Sequence, residues 1–254
     1  MKNNDDYIKK FWVGLLDGDG SMQVNHWRST NTQYRLMIKL KNNRGNYNML
    51  TTIQKVMGGN VKLTKGDQFV TWVVNDKKEI MKMIKIFDNN PLLTSNKNAQ
   101  LEFLKENMKR NDMNWYFLNR NNKFDNQERN QKMISDYLKT FDKNKDYTYF
   151  DIWFSGFSEA KSCFSIRQNS NHSFSMSQKN DKYLLEFIKN YFNIANSIRV
   201  IKNKKVDNKN MFYLLEVYKK DILLNMINHF NNNPTLGNKY ESFKKLSLIF
   251  MNKN

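Results

Sequence analysis

Two stretches of the chain repeat one arrangement of apolar and small residues, and both stop abruptly. Trp12-Val13-Gly14-Leu15-Leu16-Asp17-Gly18-Asp19-Gly20-Ser21 is matched by Phe154-Ser155-Gly156-Phe157-Ser158-Glu159-Ala160-Lys161-Ser162-Cys163. In each run a small residue recurs four positions on, at Gly14 and Gly18 and at Gly156 and Ala160. That spacing predicts a helix with a narrow small-residue stripe, along which two such helices can pack backbone against backbone. Each helix would stop at Gly20 or Ser162, leaving Asp19 and Lys161 side by side at the end of the pair. Two carboxylates there could hold divalent metal between them, as in-line phosphodiester hydrolysis requires; a carboxylate and an ammonium would not.

Beyond each motif the apolar period changes from helical to two. Met22, Val24 and His26 alternate with Gln23, Asn25 and Trp27, and then Tyr34, Leu36, Ile38 and Leu40 alternate with Arg35, Met37, Lys39 and Lys41. This predicts strands with one buried and one polar face. A helix over 47–57 ends at Gly58-Gly59, and 61–63 with 69–74 form a second hairpin around Lys65-Gly66-Asp67. The second half follows the same plan. Phe164 and Ile166 alternate with Ser165 and Arg167, and Phe174 and Met176 with Ser175 and Ser177. A helix over 182–192 and strands near 197–201 and 211–217 come next.

The segment 83–97 returns at 226–239, one residue shorter, with Pro91 and Pro234, the chain's two prolines, at equivalent points. Asn96-Lys97 and Asn238-Lys239 then open apolar-periodic closing helices around 101–108 and 243–250. The expected fold is α+β, with two αββαββα repeats related by a pseudo-two-fold and the motif helices at their interface. The repeats span 1–110 and 148–254. Between them, 111–147 is a Lys/Asn-rich connector, helical around 127–138.

The chain has 254 residues and a formal charge of +18, far more than solubility needs, which points to a polyanionic partner. The basic residues are spread along the chain rather than gathered beside one amphipathic segment, and no apolar run is long enough for a membrane span. One cysteine and three histidines exclude an internal disulfide and a zinc cluster. The polar strand faces supply the candidate nucleic-acid contacts: Gln23, Asn25, Trp27, Arg28, Arg35, Lys39, Lys41 and Lys62 in the first half, and Ser165, Arg167, Asn169, Ser175, Ser177 and Lys179 in the second. Such side chains bond base edges and phosphates and are almost free of carboxylates. Abundant asparagine and lysine with scarce alanine and proline are the mark of AT-rich coding. The acidic N-terminus does not resemble a transit peptide. Together these features suggest a mitochondrial protein encoded in the organelle.

With both motifs, both halves and the Asn-Lys segments in view, the chain resembles the single-chain LAGLIDADG homing endonucleases and group I intron maturases. Gly14-Leu15-Leu16-Asp17-Gly18-Asp19-Gly20-Ser21 carries the specific part of the likeness. The resemblance implies sheets forming a saddle over DNA, with Asp19 as the acid that binds divalent metal and Gly18 and Ala160 offering nearby backbone carbonyls. It also implies Lys97 and Lys239 as basic residues of the catalytic pocket, and Asp17 and Glu159 as less critical acids serving helix ends. Lys161 departs from the pattern at the second metal ligand and Ser162 departs where glycine is usual. A calcium loop of EF-hand type fails on spacing, since Met22 and Arg28 fall where its glycine and bidentate glutamate belong.

Both halves in one chain lead to the expectation of a monomer, and Lys161 to one that binds structured RNA without double-strand cleavage, as a splicing maturase or within a ribonucleoprotein, with Mg2+ weakened or absent. The alternative is a Mg2+-dependent, site-specific endonuclease or nickase acting on double-stranded DNA.

Overall fold

The computed structural model describes residues 4–142, 147–168, 171–201 and 211–251. Its first half runs α1 (Asn4–Asp19), β1 (Gly20–Trp27), β2 (Asn31–Lys41), α2 (Arg44–Met57), β3 (Asn60–Thr64), β4 (Phe69–Val74), α3 (Lys77–Ile84), the single turn α4 (Ile86–Asn89) and α5 (Ser95–Arg110). Two connector helices follow, α6 (Met113–Asn119) and α7 (Gln127–Lys139). The second half is α8 (Tyr147–Lys161), β5 (Ser162–Ser165), β6 (Ser173–Lys179), α9 (Lys182–Tyr191), β7 (Arg199–Ile201), β8 (Phe212–Val217), α10 (Lys220–Asn232) and α11 (Lys239–Met251). Each half holds one antiparallel four-stranded sheet, ordered β1-β2-β4-β3 and β5-β6-β8-β7.

The motif helices stop where the sequence predicts, α1 at Asp19 and α8 at Lys161. They pack closely enough that a methyl group added at Gly14 would lie 2.0 Å from the Trp153 carbonyl oxygen, and one at Gly156 would lie 2.0 Å from the Phe11 carbonyl oxygen. A side chain placed at Gly18 would meet Ala160 at 2.4 Å. The reciprocity of these contacts is the pseudo-two-fold in atomic detail. The middle of both helices is buried, with Phe11, Trp12, Leu15, Trp153, Phe154 and Phe157 fully enclosed between the sheets and outer helices.

Two tyrosines repeat the same symmetry at the other end of the pair. Tyr7 donates to the Pro234 carbonyl at 2.6 Å, and Tyr149 donates to the Pro91 carbonyl at 2.7 Å. Each proline segment is thus fastened to the opposite half.

The acids Asp17 and Glu159 hold the starts of the closing helices. Asp17 accepts from the Leu93 amide at 2.5 Å, from the Thr94 amide and hydroxyl, and from the Trp153 indole at 3.1 Å. Glu159 accepts from the amides of Gly237 at 3.0 Å and Lys239 at 2.9 Å. Helix starts present amides without intrahelical partners and favour negative charge, so these carboxylates fix where α5 and α11 begin. A second acceptor reaches each start from the other half: Asp181 takes the Ser95 amide and hydroxyl, and Asn46 takes the Asn238 amide at 3.2 Å.

The connector is docked rather than merely solvated. Ile134 and Leu138 of α7 are buried, Gln127 donates to the Ser95 hydroxyl at 2.9 Å, and Gln131 donates to the Asn180 carbonyl at 3.1 Å. Helix α6, not expected from the sequence, is capped by Asp112 and lays Tyr116 and Phe117 against His26 of β1.

Several boundaries differ from expectation. α2 begins at Arg44 because Asn43 caps it, three residues before the apolar period starts. β5 ends at Ser165, so Ile166 is exposed rather than facing the core.

Two outcomes follow for stability. Replacing Gly14 with alanine would force two backbones apart and should cost at least about 2 kcal/mol, read from the denaturant midpoint. Burial pushes the Asp17 carboxyl up to about 6, even though Thr94, Leu93 and Lys97 favour its charged form. The folded chain therefore binds this proton more tightly than the unfolded chain does, where the value is about 3.9. The contribution is fully present below about pH 4 and is lost as pH rises through 6. The pH slope of unfolding between those values should be reduced in Asp17→Asn.

Candidate nucleic-acid interface and active site

Asp19 and Lys161 meet at the end of the motif pair, Lys161 Nζ lying 3.0 Å from Asp19 Oδ1. Their side chains are 32% and 30% exposed, so the pair is open to a ligand and contributes only about 0–1 kcal/mol to the fold. β1 and β5 begin at the very next residues, Gly20 and Ser162, so the sheets start side by side and spread outward to β3 and β7. A pocket beside the pair is lined by Asp17, Gly18, Lys97, Lys161, Ser177 and Lys179, among others.

Lys97, in the first turn of α5, is half-buried there. Burial lowers its pKa, opposed by the charge of Asp17, with Lys161 lowering it further and Asp19 raising it. Lys239 occupies the matching start of α11 but is absent from the lining of this pocket. Gly18 and Ala160 face each other in the last turns of the motif helices. Glu159 is committed to Gly237 and Lys239, and burial raises its pKa. It is therefore engaged away from Lys161 and does not stand in for the missing acid. Among the described residues no group of three or more histidine, cysteine or acidic side chains is placed to hold a metal ion.

The sheet faces opposite the core carry most of the expected contact residues. Gln23, Asn25 and Trp27 pair across β1 and β2 with Arg35, Gln33 and Asn31. Arg35 donates to Asn75 at 2.8 Å, and the Lys39 ammonium lies 4.4 Å from the centre of the Phe69 ring. Lys41 closes β2, and Lys62 lies opposite Thr71. At the hairpin tip Trp27 is 56% exposed, with the Arg28 guanidinium 5.3 Å from its ring. Arg28 and Ser29 both have positive φ, a geometry that matches the twist of a tight hairpin. In the second sheet Ser165 ends β5, and Ser175, Ser177 and Lys179 lie along β6. Asn169 lies outside the described residues.

One acid stands on this face, which among the described residues is otherwise free of carboxylates along its paired strands. Glu216, opposite Ser175, sits on it and pairs with both Arg167 and Arg199. Its pKa is lowered by the Tyr218 hydroxyl first and by the two arginines. The buried carboxylate Asp181, which ties the second half to α5, was also not foreseen. Its partner Ser95 is 86 residues away, so no local signal marks it.

The LAGLIDADG endonuclease family model matches residues 12–108 and 154–250. A protein of Dictyostelium citrinum named a probable intron-encoded endonuclease aI3 is 48% identical, over 96% of this chain and 95% of its own length. A protein of the same name from Debaryomyces hansenii is 46% identical over 96% of this chain, which spans only 38% of that relative. Among solved structures, the I-LtrWI LAGLIDADG homing endonuclease bound to target DNA has a TM-score of 0.67 at 20% identity, covering 99% of this chain and 92% of that one. I-GzeII in complex with its DNA target has a TM-score of 0.66 at 21% identity, covering 96% and 91%.

These relatives overturn the expectation of an RNA-binding chain that does not cut. A basic face is equally suited to either polymer, and loss of one carboxylate leaves the other available, since Mg2+ needs only one or two carboxylates beside substrate phosphates. No helix among the described residues is long and apolar enough to cross a membrane. On the match of both repeats and the shared fold, the chain belongs to the LAGLIDADG endonuclease family.

Proposed function

We propose that this chain is a site-specific, divalent-metal-dependent DNA endonuclease whose two strand-cutting positions are unequal. The observation that carries the reading is the retained Asp19, exposed at the end of the motif pair, beside Lys97 and between the starts of two sheets. The names of the relatives as intron-encoded endonucleases, and the DNA held by structural neighbours, agree with it. One of those neighbours, I-SmaMI, is described on uncleaved DNA in the presence of calcium ions.

The donor set fits one Mg2+ held by Asp19 with phosphate oxygens and water, not a pair of ions held by two acids. Such an ion would polarise a phosphoryl oxygen of the DNA backbone. Gly18, just before Asp19, and Ala160, which faces Gly18 across the helix pair, are the backbone positions whose carbonyls could assist. Lys161 competes for Asp19 when DNA is absent, and with DNA bound its ammonium can turn to a phosphate instead. Lys97 brings a second positive charge to the pocket it shares with Lys161, where negative charge develops as the phosphodiester is attacked. Lys239 holds the corresponding place on the other side.

The two strands of a duplex face a pseudo-two-fold protein from opposite sides. One strand meets Asp19, and the other meets Lys161. Cleavage of the first should therefore precede that of the second. We further assign residues 1–110 and 148–254 as the two repeats and 111–147 as their connector, acting together as a monomer. The AT-rich coding signature and the intron-encoded relatives favour a mitochondrial, organelle-encoded product.

The test uses a supercoiled plasmid carrying a target selected from random duplexes, incubated with Mg2+ or Mn2+. Nicked circles should accumulate before linear DNA, and Asp19→Asn should slow nicking at least about 100-fold. Lys161→Glu should raise the yield of linear product. Absence of any cutting would overturn the endonuclease reading, and linear DNA formed without a nicked precursor would overturn the inequality of the strands.

A further inference from the structure

The two sheets present different chemistry to the duplex. In the first, the outward row holds Gln23 opposite Arg35, Asn25 opposite Gln33, and Lys39 beside Thr71 and Lys62. Amide and guanidinium side chains are the groups that bond a purine edge through two hydrogen bonds in the major groove.

In the second sheet the core takes Phe174, Met176, Leu215 and Val217, all essentially inaccessible. The register then fixes what points the other way. Ser177 lies opposite Leu214, which lies opposite Arg199; Lys179 lies opposite Phe212, which lies opposite Ile201. Phe212 and Leu214 are half-buried but are not packed into the core, and Ile201 is 43% exposed. Three apolar side chains thus line up on β7 and β8 beside a row of short hydroxyls, Ser175 and Ser177, on β6. Of the charges at their margin, Arg167 and Arg199 both engage Glu216, while the exposed Lys179 beside Phe212 can reach a phosphate. Gln178, the amide side chain of β6, is turned inward to Asp181 at 3.2 Å and is 8% exposed. Neither arginine is free to fork onto guanine without leaving Glu216.

From this we infer that the second sheet reads its half of the target through the C5-methyl groups of thymine, with Phe212, Leu214 and Ile201 as the contacting residues, while the first sheet reads purine edges by hydrogen bonding. An apolar side chain meets the thymine methyl in the major groove and gains nothing from cytosine, which presents an amino donor without a methyl. The assignment rests on the chain acting on double-stranded DNA, and it predicts a target in which thymine methyl groups are recognised in one half and hydrogen-bonding base edges alone in the other.

The experiment separates the two readings. The full chain, in Ca2+, selects from a pool of random duplexes, and the selected duplex is resynthesised with deoxyuridine for thymidine in one half at a time. This removes the methyl and leaves base pairing intact. The half-sites are oriented with Gln23→Ala and Leu214→Asn, each of which should relax selection in one half only. Uridine in the half governed by Leu214 should weaken binding of the unaltered protein about fourfold per contacted methyl, and uridine in the other half should leave it unchanged. A selected site with no uridine effect, or with the effect confined to the Gln23 half, overturns the inference while the DNA reading stands. Failure to enrich any duplex overturns both. The uridine comparison uses the unaltered chain, and either variant that folds is enough to assign the two halves.

Discussion

The architecture depends on one contact, the meeting of two helix backbones at Gly14 and Gly156. Because neither position has a side chain, the carbonyls of Phe11 and Trp153 occupy the space where one would stand. That approach sets the distance between the halves. It brings Asp19 and Lys161 within 3.0 Å and starts both sheets from neighbouring residues. Wider packing, as larger residues would require, would separate the helix ends and the sheets together.

Around that contact the acids divide by depth. Asp17 and Glu159 are buried and bonded to helix starts, and burial raises the pKa of both. Asp19 and Lys161, two residues further along each helix, emerge at the surface. A helix turns through roughly 200° in two residues, so adjacent acids of one motif serve opposite ends. The inner position positions the closing helix that carries Lys97 or Lys239, and the outer one faces the ligand. Structure and chemistry are thus supplied by the same three-residue stretch without sharing a side chain.

Much of this was legible in the sequence. The glycine spacing gave the helix pair and its ends, the period-two stretches gave the strands, and the repeated proline segments marked equivalent points in the two halves. These signals are local, or are repeats of local patterns. Contacts between the halves outside the motif pair were not readable. Asp181 to Ser95 and Asn46 to Asn238 join residues whose surroundings give no hint of each other. The hairpin partner of β6 could be placed, but the outward direction of Phe212 and Leu214 could not, because apolar residues on an exposed face look like core until the register is fixed. The choice of polymer failed for a different reason: a positive strand face suits any phosphate backbone, and the lysine at 161 alters one charge without altering that face.

The ion pair also bears on why the two halves share one polypeptide. A symmetric dimer of first halves would set Asp19 against its copy, an arrangement that a bridging cation can hold. A symmetric dimer of second halves would set Lys161 against its copy, two like charges with no acid between them. The pair of opposite charges exists only where the two facing sequences differ, and a single chain guarantees that every second half meets a first.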